Sequence, residues 1–124
     1  MPFDEQLAQR VRQMLKGKRG VTERRMLGGL CFLLRGNMCF GVERDRLVVR
    51  VGPEQYARAL SKPHARPIDF TGRPLKGFVY ISAKGYRTAA SMKSWIARSL
   101  DFVGSLPSKD QRGKTGGVPR GVDD

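Results

Sequence analysis

Histidine is nearly missing from this sequence: His64 is the only one in 124 residues. Cysteine and tryptophan are almost as scarce, represented by Cys31, Cys39 and Trp95 alone. These scarcities remove whole classes of chemistry. A catalytic zinc ordinarily draws three closely spaced ligands from His, Cys and acidic residues, and the chain has neither a C-x-x-C pair nor a His-Glu spacing. The groups that could be recruited (His64, Asp69, Cys31 and Cys39) are scattered, so no metal and no other cofactor is expected. Acidic residues are few, 11 against 24 Lys and Arg. Those that precede the glycine-rich tail stand singly or at turns and helix ends, which leaves paired-carboxylate catalysis without its pair.

Long apolar runs are also missing. Nothing approaches the roughly 18–20 residues of a membrane span, and the opening "MPFDEQLAQR" carries acids where a secretory signal needs an apolar stretch. A cytoplasmic protein with no membrane partner is the expectation. The two cysteines fall in a stretch predicted to form a hairpin turning at "RGN". Neither a two- nor a three-residue loop there brings them face to face, so two buried free thiols are expected.

What is present predicts an α+β fold, an antiparallel sheet flanked by N-terminal, middle and C-terminal helices. Phe3, Leu7, Val11, Met14 and Leu15 recur at helical spacing and predict a helix over 4–16. "GKRGVTERR" then reads as a basic, glycine-punctuated connector. Strands are predicted at 26–34, 38–43 and 46–51, joined by short turns at "RGN" and "RD" into a meander. Both parities of the first strand are apolar, which predicts cover on both faces, and Gly28-Gly29 marks a bulge or a close approach. "GPEQYARALSK" reads as a second helix opened by Pro53. A further strand is predicted at 77–83. A stripe of Met92, Trp95, Ile96, Leu100, Val103 and Leu106 predicts a helix over 88–106, with Trp95 in the core. Residues 1–109 form the expected domain, and 110–124, basic and glycine-rich without periodicity, the expected disordered tail.

The formal charge is +13. An excess of that size attracts polyanions, nucleic acid first among them. Arg10, Arg12, Lys16, Lys18, Arg19, Arg24 and Arg25 crowd together with Glu23 as the one counterweight, and they are the candidate nucleic-acid contacts. The alternative is a solvated helix face followed by a loop. Segment "KPHARPIDFTGRPLKGFVYIS" is the other candidate, offering His64, Arg66, Asp69, Arg73 and Lys76. Residues before proline are pushed toward extended geometry, so this segment reads as a rigid connector into a strand rather than a catalytic loop. "RGKTGG" lacks the earlier glycine and the strand–helix frame of a phosphate-binding loop. No enzyme is expected.

Four stretches together, "RRMLGGLCFLLRGNMCFGV", "RLVVRVGPEQYARAL", "KPHARPIDFTGRPLKGFVYI" and "WIARSLDFVGSLPSK", resemble the N-terminal domain of the TfoX/Sxy competence-regulator family. Arg-Arg-Met-x-Gly-Gly and the Gly-Asn-Met hairpin are the most specific pieces, and Leu27 stands where Phe is common. The resemblance implies an α+β domain without catalytic residues. It also implies a role in regulating natural-transformation genes alongside a cyclic-AMP-responsive activator. Many such regulators carry a second helical domain, and this chain has a short tail in that place. The expectation is a non-enzymatic regulatory module with a transcription-regulatory protein as partner. Nucleic acid and a second copy of the chain are further candidate partners. The alternatives are a stand-alone, non-specific nucleic-acid binder and an enzyme or small-ligand binder built on the His64 segment.

Overall fold

A computed structural model describes residues 3–26, 28–68 and 75–109. The tail expected at 110–124 lies outside the described residues, as do Leu27, Asp69 and Arg73. Strands β1 (Val21–Met26), β2 (Gly29–Leu34), β3 (Asn37–Glu43) and β4 (Arg46–Arg50) run as a meander of antiparallel hairpins. β5 (Ala65–Pro67) and β6 (Phe78–Ile81) complete an antiparallel sheet in the order β1-β2-β3-β4-β6-β5. Helices α1 (Glu5–Met14), α2 (Tyr56–Leu60) and α3 (Ala89–Gly104) flank it. The fold is therefore α+β with the three helices expected. Among the described residues, no helix is long and apolar enough to cross a membrane.

The helices begin where capping chemistry allows. The Asp4 carboxylate accepts from the Gln6 and Leu7 amides at 2.9 and 3.2 Å, satisfying donors that the first turn leaves open. Thr88 does the same for α3, accepting from the Ser91 amide at 3.0 Å. The predicted stripe of α3 is its buried face: Met92, Trp95, Ile96 and Val103 are buried, and Leu100 and Leu106 are partly so. α3 lies across β2, β3 and β4, where Phe32, Phe40, Leu47 and Val49 meet it in the main core with Leu7 and Val11 of α1. Each such side chain, fully buried, contributes about 1.5–3 kcal/mol. A smaller cluster of Val48, Ile68 and Tyr80 covers part of the opposite face, and every residue of β2 is buried, as its two apolar parities predicted.

The structure departs from the sequence expectation at several points. The predicted strand 26–34 is two strands: Met26 pairs with Gly29 across a two-residue turn. β1 extends back through Val21–Met26, a stretch expected to be a connector. It is an edge strand with Thr22, Glu23, Arg24 and Arg25 exposed, so burial imposes no apolar alternation on it. Gly28 occupies the turn with φ +75°, and Gly29 is the close approach: a Cβ there would sit 2.4 Å from the Val42 carbonyl oxygen. A bulge does occur, but in β3. Phe32 pairs with Phe40 while Leu33 pairs with Met38, leaving Cys39 as the extra residue. Cys39 and Phe40 consequently both enter the main core.

α2 is shorter than expected, with Pro53, Glu54 and Gln55 in turns before it. Arg66 is extended in β5, as its following proline requires. His64 is not extended. It takes φ +71° in a turn closed by the Ala65 amide on the Lys62 carbonyl at 3.3 Å, with Pro63 in the position that presets such a turn.

Candidate nucleic-acid interface

The seven basic residues between Arg10 and Arg25 do not form one surface. Arg10 donates from Nη2 to the carbonyls of Tyr86 and Arg87, at 2.9 and 3.1 Å, and so fastens α1 to the turn before α3. Arg12 holds Glu23 of β1 through two bonds, Nε–Oε2 at 2.7 Å and Nη2–Oε1 at 2.8 Å. Those hydrogen bonds hold the Glu23 carboxyl below its usual range and raise the Arg12 guanidinium. Arg24 and Arg25 are successive residues of a strand and project from opposite faces. The Arg25 guanidinium lies 5.4 Å from the centre of the Phe3 ring. Only Lys16, Lys18 and Arg19 remain together as exposed cations past the end of α1.

The fold adds two residues to these that sequence reasoning passed over. Arg35 forms the β2–β3 tip with Gly36; both have positive φ (49° and 85°), as a tight two-residue hairpin loop requires. Its amide donates to the Gly20 carbonyl at 2.8 Å, which sets the tip beside Lys18 and Arg19. Behind α3 the chain returns to the same tip. Asn37 Nδ2 donates to the Pro107 carbonyl at 2.9 Å, and the Lys109 amide donates to the Arg35 carbonyl at 2.9 Å. Lys18, Arg19, Arg35 and Lys109 thus share one corner of the molecule, and all four are exposed. The "RGN" turn was legible as a turn; its neighbours, as distant along the chain as Lys109, were not.

Other candidate groups are occupied in holding the fold or stand apart. Cys31 and Cys39 are buried, free thiols. Burial pushes both upward, Cys39 to about 11, which disfavours the reactive thiolate. The Tyr86 hydroxyl donates to the Asp45 carbonyl at 2.6 Å, and burial pushes the pKa of that phenol upward, which disfavours its ionisation. Arg50, lowered by burial, lies 5.4 Å from the rings of both Phe78 and Phe102. His64 is exposed. A cleft of about 620 Å³ opens elsewhere, between Pro53, Glu54 and Gln55 on one side and Arg98, Asp101 and Phe102 of α3 on the other. Among the described residues, no group of three or more His, Cys, Asp or Glu could hold a metal.

No curated protein and no solved structure matches the chain. Residues 13–103 match the family model of the TfoX N-terminal domain.

Proposed function

The chain belongs to the TfoX N-terminal domain family, and from that membership we propose a non-enzymatic regulatory module of the competence-regulator type, acting through a protein partner. The observation that carries this reading is the extent of the match. It runs from the last residues of α1 through nearly all of α3, and so takes in the whole sheet. The side-chain roles support it. Tyr86, Ser99, Arg10 and the Arg12–Glu23 pair, groups that could do chemistry in a cleft, instead join one element of the fold to another. What faces solvent is charged surface, the kind that recognises a partner.

The test is capture of the tagged protein from its own cells, with and without nuclease. A transcription-regulatory protein retained after nuclease treatment is the expected result. A captured set that vanishes with nuclease would show contacts bridged by nucleic acid and would overturn the partner reading.

A further inference from the structure

We propose that the corner formed by Lys18, Arg19, Arg35 and Lys109 is a phosphate-holding surface that grips the backbone of duplex DNA without reading its sequence. The choice of DNA rests on the regulatory reading above; the phosphate chemistry does not.

Three observations carry the proposal. The first is convergence on a fixed frame. Three segments meet at the corner: the connector after α1, the β2–β3 tip and the chain beyond α3. They are tied by the backbone bonds Arg35 to Gly20 and Lys109 to Arg35, and by the Lys18 amide on the Leu15 carbonyl at 2.9 Å. A cation presented from an ordered backbone loses less freedom on meeting a phosphate than one on a loose chain.

The second is the lack of compensation. None of the four side chains makes an ion pair or side-chain hydrogen bond among the described residues. Glu23, the acid nearest in sequence to Lys18 and Arg19, is already engaged by Arg12. Asp4, Glu5, Glu43 and Asp45 gather at the other end of the sheet, where the Asp4 amide meets the Arg44 carbonyl at 2.7 Å. The seven residues of β3 separate the two ends, roughly 20 Å at strand rise. That is more than twice the Debye length of about 8 Å at physiological ionic strength. The acids at that end are too far away to neutralise the corner, and four like charges held together favour an external anion.

The third observation narrows the anion. No described Phe, Tyr or Trp is exposed, which leaves the corner without an aromatic platform on which unpaired bases could stack. Leu75 is the one large hydrophobic side chain exposed among the described residues, which leaves the corner without an anchor for a bilayer. A duplex backbone asks only for positive charge and donors, and the corner has those. The flanked tip also lacks a helix or free ribbon to enter a groove, so base readout is not expected.

The experiment is fluorescence anisotropy of the full chain with two unrelated DNA duplexes, across a salt series. RNA duplex of the same sequence, single-stranded DNA and anionic phosphatidylglycerol vesicles form the comparison arms. Four phosphate contacts give a log–log salt slope of about −3.6 and a Kd of order 10⁻⁵ M at physiological salt. The Lys18→Glu, Arg19→Glu, Arg35→Glu variant should reduce the slope to about −1 and weaken binding at least tenfold. Its control, Arg58→Glu, Lys84→Glu, Lys93→Glu, changes the net charge equally at exposed positions on α2, the turn before α3, and α3. It should stay within a few-fold of the parent. If charge reversal prevents folding, Lys18→Gln, Arg19→Gln, Arg35→Asn carries the same comparison, since Asn tolerates the positive φ at that tip.

Equal loss in the control would overturn the site, because binding would then follow net charge alone. Preference for vesicles or single strands, or nanomolar sequence-selective binding, would overturn the proposed occupant or mode. Equal binding of duplex RNA would overturn the choice of DNA. Capture of the protein partner by the triple variant separates this proposal from the regulatory reading: retention with loss of DNA binding upholds both.

Discussion

In the Ser99→Ala variant, the carbonyl of Cys39 loses the hydroxyl that reaches it from α3 across 2.7 Å. Cys39 is the bulge residue of β3 and has no register partner in β2 or β4, which is why a side chain serves its carbonyl. Ser99 is fully buried, at 0% exposure, so water has no route to replace the lost donor. An orphaned buried acceptor costs about 1–3 kcal/mol, and removing one oxygen leaves too small a void to add much. For a domain of this size each kcal/mol moves the melting temperature by about 4–8 °C, so a fall of about 5–20 °C is expected. Ser105, the residue that caps the end of the same helix, supplies the control. Its hydroxyl donates to the Phe102 carbonyl over 2.6 Å, a bond just as short, but at an exposed position. There water takes the place of the hydroxyl, and Ser105→Ala should stay within about 0.5 kcal/mol. Urea unfolding followed by the fluorescence of buried Trp95 measures both, with equal denaturant slopes expected. Equal effects of the two substitutions would refute the reasoning and show that another donor serves Cys39.

Three further outcomes are expected. Gly52 has φ +88°, and a Cβ there would lie 2.5 Å from Cδ1 of Phe102; Gly52→Ala should cost about 2–4 kcal/mol from left-handed strain and overpacking, measured by the same urea unfolding. Both thiols should resist a neutral-pH thiol reagent in the native protein and react together in denaturant, since both are buried and raised; rapid native labelling of either would contradict the packing of β2 and β3. Because Glu23 is lowered by its bonds to Arg12, its stabilising effect is present above the usual carboxylate pKa of about 4.3 and is lost as pH falls through the lower folded value. Arg12→Ala should therefore cost roughly 0.2–1 kcal/mol at pH 7 and nothing once Glu23 is protonated in both states, and an undiminished effect at the acid end would assign the loss to packing.

Features encoded locally were legible in the sequence. α3 announced itself because six large apolar residues fall on one face, and the hairpins did because Gly, Asn and Asp suit tight turns. β1 was hidden because Thr22, Glu23, Arg24 and Arg25 face solvent and show no burial pattern. Ser99 was hidden because a serine on a helix gives no sign that a bulge sixty residues away needs its hydroxyl. The basic cluster was legible as a run of charges along the chain, not as a surface. Proximity in sequence joined Arg10 and Arg12 to the patch, although one caps carbonyls and the other holds Glu23. Distance in sequence hid Arg35 and Lys109, which only the closing of the fold brings to Lys18 and Arg19.

The order in which these elements leave the ribosome follows from the same topology. β1 to β4 pair between sequence neighbours and need little beyond residue 50, whereas their inner face is covered by α3, which ends at Gly104. At about 5–20 residues per second, the nascent chain waits roughly 3–10 seconds with Phe32, Phe40, Leu47 and Val49 lacking their final cover. During that interval the growing chain offers chaperones and neighbouring nascent chains the surface that α3 later takes. A mutation that slows or weakens the docking of α3 is therefore felt in soluble yield during synthesis before it is felt in the melting temperature of whatever protein survives.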